Sequence, residues 1–175
     1  LVLDACMLTP DQDAGSLRMF EMLKIMAGMG CKVTFVADNL EYRSPYTQQI
    51  QSLGVEVLWH PFYASVSALL QRTAAQYDVV MLSRATVAVK YVDLVKRVAP
   101  RAKLVFDTVD LHFLRQQRLA ELDPQPSLIA AAEAMKKQEL DIMSKADVTL
   151  VVSPVEQALL DTLAPQVRVN IVSTI

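Results

Sequence analysis

Seven short apolar runs, at 1–4, 32–37, 55–59, 78–82, 103–106, 148–152 and 168–172, alternate with helical patterns along the 175 residues. Stretches such as VVML (79–82) and LVVS (150–153) show little polar alternation, as expected of strands buried on both faces. Short buried strands separated by helices fold as βαβ units, whose right-handed crossovers build a parallel sheet. The expectation is a doubly wound α/β domain: a mostly parallel, Rossmann-like sheet of about seven strands with helices on both faces.

The helical segments carry their own punctuation. Residues 16–29 set Leu17, Phe20, Met22, Leu23 and Met26 on one broad face, and Gly28 and Gly30 suit a C-terminal cap. Ser44-Pro45 opens a short helix that ends before Gly54, and further helices are expected near 65–75, 86–98 and 112–122. Pro124 and Pro126 precede a long one near 128–145, where Leu128, Ile129, Ala132, Met135 and Leu140 recur at helical spacing and are expected to face the core. Ser153-Pro154-Val155-Glu156 reads as a capping box with Pro at the first helical position of 154–163.

Composition removes several classes of function. The 17 basic and 19 acidic residues nearly cancel, so no overall field favours nucleic acid. No apolar run reaches the roughly 18 residues of a spanning helix, and no signal peptide is visible, so a cytoplasmic protein is expected. The chain opens without Met inside one strand and closes inside another, VRVNIVSTI, which reads as a fragment of a longer protein. Cys6 follows the first strand and Cys31 precedes the second, opposite ends separated by roughly 15 Å of strand rise. A disulfide needs Cα atoms within about 7 Å, so two free, core-filling thiols are expected.

Ligands of such sheets collect at the carboxyl ends of the strands. The first strand delivers Asp4, then Thr9, Asp11, Asp13, Gly15, Ser16 and Arg18; the second delivers Asp38, Asn39 and Arg43, and the third His60. The fourth runs into Ser83 and Arg84, the fifth into Asp107, Thr108, Asp110 and His112 with Arg115 and Arg118 beyond, and the sixth into Ser153. With strand order 3-2-1-4-5 the switch point lies between strands 1 and 4, flanked by Gly15, Ser16, Ser83 and Arg84. Gly15 would let the backbone approach a ligand closely, or would merely ease a turn. Both histidines and several arginines fall on this edge, a bias toward a polar, partly anionic ligand.

Several enzyme classes fail on spacing. Asp107 and Asp110 are three apart, where a haloacid-dehalogenase phosphatase needs two acids two apart. His60 and Asp107 stand where a receiver domain needs Asp and Lys. There is no G-x-G-x-x-G, P-loop, G-x-S-x-G or Cys/His metal spacing. Two carboxylates flanking His112 could support acid/base work or hold sugar hydroxyls.

Four phrases in order give the chain a resemblance to the N-terminal half of a GT-B glycosyltransferase of the family 4 (group 1) kind. They are the loop with Gly15, MLKIMAGMGCKVTFV, FDTVDLH (106–112) and ELDIMSKADVTLVVSPVE. The resemblance spans essentially all 175 residues and makes 1–175 the acceptor-side domain, with the donor-binding domain absent from this chain and the fragment inactive alone. It implies transfer of a sugar from a nucleotide-sugar donor to an acceptor, a small molecule or glycan, without a metal or other cofactor. Carried over by position, Gly15 approaches the donor phosphate or sugar, and Asp110 and His112 contact the transferring sugar. Ser16, Arg18, Ser83, Arg84, Asp107 and Thr108 complete the expected donor-binding set. Asp110 stands where the family usually has His, Cys31 replaces another His, and the first loop has one Gly where two are common. Two alternatives stay open: a stand-alone binding module for a sugar, nucleotide or protein partner, and an unrelated doubly wound enzyme. Peripheral contact with a membrane is likewise left open.

Overall fold

The computed structural model describes residues 1–173. Among them, strands β1 (Val2–Asp4), β2 (Thr34–Ala37), β3 (Glu56–Leu58), β4 (Val79–Ser83), β5 (Lys103–Asp107), β6 (Val148–Val151) and β7 (Val169–Ile171) form one sheet in the order β3-β2-β1-β4-β5-β6-β7. Every pairing is parallel. The connecting helices are α1 (Ala14–Gly28), α2 (Tyr46–Ser52), α3 (Val66–Thr73), α4 (Ala85–Val98), α5 (His112–Leu122), α6 (Pro126–Lys145) and α7 (Pro154–Leu163). This is the doubly wound, Rossmann-like arrangement the alternation of elements implies.

Side chains that alternate along each strand feed two separate cores. Val2, Phe35 and Val57 pack beneath Met19 and Leu23 of α1 and Ile50 of α2. Leu3, Val36, Val80, Leu82, Leu104 and Phe106 pack on the other face with Leu69 and Leu70 of α3, Val92 and Val95 of α4, Ile142 and Met143 of α6, and Leu160 of α7. The winding reverses at β1, which pairs with β2 on one side and β4 on the other. In sheets of this kind ligands bind where the winding reverses, here at the carboxyl ends of β1 and β4.

Helix ends follow the chemistry of their caps. α1 starts at Ala14, earlier than its apolar face suggests, because the Asp13 carboxylate accepts the Ser16 N–H at 2.8 Å. Its other end closes with Gly30 N–H donating to Ala27 O and Cys31 N–H to Met26 O, a Schellman motif that needs the positive φ of 84° at Gly30. At α7, Ser153 Oγ accepts the Glu156 N–H, and the Glu156 carboxylate reaches back to the N–H of Val152.

Two expectations are corrected. Cys6 and Cys31 are free thiols but exposed ones, because both sit in connecting loops at the surface. In α6, Ala132 is buried and Leu128, Met135 and Leu140 are half-buried, but Ile129 is exposed. Burial grows along that helix and is complete at Glu139, Ile142 and Met143, where α6 reaches the main core. No helix of the described residues is long and apolar enough to cross a membrane.

Candidate functional site

The polar residues at the switch point separate into a buried floor and an accessible rim. The floor is centred on Asp107, the last residue of β5, which has no exposure to solvent. Its Oδ2 accepts from Arg18 Nη1 at 2.9 Å and from Ser83 Oγ at 3.1 Å. Arg18, only 1% exposed, also donates through Nε to Val172 O at 3.0 Å, so the first turns of α1 are tied to the chain just after β7. Thr108 is equally buried and gives both its N–H and its hydroxyl to Leu150 O. Ser16 is buried in the first turn of α1. Arg18, Ser83, Asp107 and Thr108 thus meet one another and the backbone, beneath the surface.

The rim is built around Arg84 and Gly15. Arg84 caps α4 with φ 72°, a conformation that costs an L-residue roughly 1–3 kcal/mol and persists only where its surroundings hold it. They do so twice: its N–H donates to Asp107 O at 2.8 Å, and its Nε donates to Asp4 Oδ1 at 2.9 Å. Burial pushes the Asp4 carboxyl up, against the pull of Arg84. Partial burial in turn works against the Arg84 charge, but Asp4, together with Asp13, outweighs it and raises the Arg84 pKa. Asp13 lies 3.9 Å from the same guanidinium; slight burial opposes its charge, but hydrogen bonds from Ser16 and Thr9 hold its carboxyl below the usual range.

Gly15 sits in the first turn of α1, so it does not serve as a turn residue there. A Cβ at this position would fall 2.8 Å from Arg84 Nη2, 3.2 Å from Val109 Cγ1 and 3.3 Å from Asp13 Oδ1. The close approach is therefore to protein groups: a guanidinium rests against the positive end of a helix, and the Asp4 and Asp13 carboxylates offset that repulsion. Val109 has φ 64°, a further constrained backbone at the same point. Gly15→Ala should change stability by less than about 1 kcal/mol, because helix propensity rises and the guanidinium end can move aside. Gly15→Val should lose about 1–3 kcal/mol, since its extra methyls press on Val109. Urea denaturation of both variants measures this; equal midpoints would show that Val109 does not crowd this position.

Beyond Val109 the rim continues into Asp110, His112 and Arg115. His112 Nε2 lies 3.1 Å from Asp110 Oδ1, and Arg115 Nη1 lies 2.9 Å from Asp110 Oδ2. The hydrogen bond from His112 holds the Asp110 carboxyl below the usual range, in spite of partial burial. Asp110 stays 36% exposed and His112 12%, so both remain reachable. This pair is held by a residue far away in sequence. Glu139 of α6, fully buried, accepts the N–H of His112 at 3.1 Å and of Phe113 at 2.7 Å, and so caps the start of α5. Burial raises the Glu139 pKa, while those two N–H groups oppose the rise.

The structure thus brings Gly15, Arg84 and Val109 into contact and groups Asp110, His112 and Arg115 beside them. It sets Arg18, Ser83, Asp107, Thr108 and Ser16 in the floor. Asp38 is committed elsewhere, accepting from Lys90 and Tyr91 of α4. Ser153 serves as a helix cap. Glu139 left no local signal, because its partners lie 26 and 27 residues away. Asp4 had one: an acid at the end of a strand otherwise buried on both faces. Among the described residues no group of three or more His, Cys, Asp or Glu is placed to hold a metal ion.

Fold and site together define a doubly wound α/β protein with a cluster of charged residues at its switch point. No protein-family model matches the chain, and no curated protein matches it.

Proposed function

We propose that this chain is the acceptor-side half of a two-domain glycosyltransferase, which moves a sugar from a nucleotide-sugar donor to an acceptor hydroxyl in the cytoplasm. One observation carries the reading. The loop with Gly15 and the FDTVDLH segment, far apart in sequence, meet at the β1/β4 switch point through Gly15, Arg84 and Val109. Asp110 and His112 follow directly on the rim.

The chemistry suits such a cluster. Glycosyl transfer develops positive charge on the sugar and negative charge on the departing diphosphate. The N-termini of α1 and α4 and the guanidinium of Arg84 favour the leaving group. The ionised Asp110, oriented by His112 and Arg115, favours the sugar cation or holds its hydroxyls. Arg18, Ser83, Asp107 and Thr108 act from below by fixing the strand ends that carry these groups.

The test offers UDP-, GDP- and ADP-linked hexoses, each with and without neutral saccharide acceptors, to the protein expressed together with its donor-binding domain. Acceptor-dependent release of nucleoside diphosphate from at least one donor is expected, and none from residues 1–175 alone. Failure of every donor to give acceptor-dependent release overturns the reading.

A further inference from the structure

On the β2/β3 side of the same edge, three aromatic side chains stand outside the switch-point site, with Trp59 packed against the core below them. Tyr42, in the loop after β2, and Trp59 and Phe62, in the loop after β3, contact one another in series, the first pair tilted and the second edge to face. Tyr42 and Trp59 have ring centroids 5.1 Å apart at 53°, and Trp59 and Phe62 are 5.0 Å apart at 83°. Phe62 is 62% exposed and Tyr42 44%. The rings are held from behind: the N–H of His60 donates to Leu40 O at 3.0 Å and joins the two loops. Gln48 Nε2 fixes the Tyr42 hydroxyl. Tyr46, which starts α2, accepts from Gln12 and donates to Asp11, linking this region to the loop between β1 and α1.

We propose that Tyr42, Trp59 and Phe62 form a stacking platform for a neutral saccharide. The apolar C–H face of a pyranose matches a fixed aromatic surface, and its hydroxyls need donors and acceptors at the margin. Asn39 and Glu41 supply both, since Asn39 Nδ2 donates to the Glu41 carboxylate at 3.1 Å and the two form one exposed polar edge beside Tyr42. Charge decides against anionic ligands. The nearby charges roughly balance: Lys90 pairs with Asp38, Arg43 and Arg72 lie over the Tyr46 and Tyr63 rings, and Glu41 and Asp11 are carboxylates that form no salt bridge among the described residues. A phosphate-bearing nucleotide or an anionic membrane would find no net positive charge to hold it here. Three rings are also far too small for a stable protein interface, which buries about 800 Å² per partner. That this saccharide is the acceptor rests on the transferase reading; the binding itself does not.

Trp59 is the single tryptophan of the chain, so its emission reports on this platform alone. Residues 1–175 are titrated with cellotetraose, maltotetraose, mannotetraose and chitotetraose, then with UMP and phosphatidylglycerol vesicles, while Trp59 fluorescence is followed. A saturable change is expected with at least one tetrasaccharide, with affinity about tenfold weaker in Phe62→Ala and in Tyr42→Ala. Tyr42→Phe keeps the ring and should retain binding. Circular dichroism of each variant should match the parent chain. The proposal is overturned if no tetrasaccharide gives a saturable change, if the alanine variants bind as tightly, or if only UMP or vesicles alter the emission. Saccharide binding without diphosphate release from any nucleotide sugar would keep the platform and remove the transferase reading.

Discussion

Arg18→Met should destabilise the fold by about 3–5 kcal/mol, the largest single loss expected from the switch-point region. The substitution keeps the length and apolar stem of the side chain but leaves the Asp107 carboxylate buried with Ser83 Oγ as its remaining side-chain donor. It also removes the donor to Val172 O, just after β7. Two buried polar atoms of the pair, Arg18 Nη2 and Asp107 Oδ1, have no partner among the described residues, so desolvation is incompletely offset even in the intact pair. For that reason the double variant Arg18→Met/Asp107→Leu should recover most of the loss, since replacing both charges leaves no uncompensated ion. Urea denaturation of the two variants tests this. A single variant that loses less than about 1 kcal/mol would show that the pair is not a determinant of stability.

His112→Ala and Asp110→Asn should each lower transfer by about 10²–10⁴-fold in the transferase proposed above, with stability within about 1 kcal/mol of the parent. For Asp110 the stability half of that expectation follows from its 36% exposure; His112 is mostly covered, at 12%, but belongs to neither hydrophobic core. Both side chains stand at the rim, and the backbone N–H of His112 stays bonded to Glu139 whatever side chain is present. The activity half follows from mutual orientation, because one Asp110 oxygen faces His112 and the other faces Arg115. Turnover at the parental rate in both variants would take the pair out of the reacting centre. The pH dependence has a defined sign. A carboxyl held below its ordinary value in the folded state contributes stability that is fully present above its unfolded pKa, near 3.8. That contribution is lost as the pH falls through the lowered folded value. Asp110→Asn should therefore flatten the acid limb of the stability profile below pH about 4 and lower the neutral plateau by the same contribution. An unchanged acid limb would contradict the pairing.

How much of this was legible in the chain depends on the range of each interaction. Buried strands and amphipathic helices are written in local periodicity, so the seven strands and the helices between them could be read within a few residues. The Schellman end of α1 and the capping box of α7 follow from residues at most a turn or two apart. The site was legible only as a set of strand-end residues. Parallel topology puts all of them on one edge, and no local rule says which of them turn inward. Arg18 reads as a basic residue at a helix start, free to meet an anion; it is instead sealed against a carboxylate 89 residues later. Ile129 has the spacing of a core residue, yet it is exposed because burial along α6 is set by where the helix meets the other elements.

The sequence by itself determined the order of elements, their capping and the identity of the polar residues at the sheet edge, because each depends on contacts within one turn or one strand. Tertiary structure alone decided the rest: the division into buried floor and accessible rim, the wedging of Arg84 against Gly15, the capping of α5 by Glu139 and the clustering of Tyr42, Trp59 and Phe62. These arise when strand order and helix packing bring distant segments within 3–5 Å of one another. Desolvation and pairing energies at such distances vary too steeply with position to be encoded in spacing along the chain.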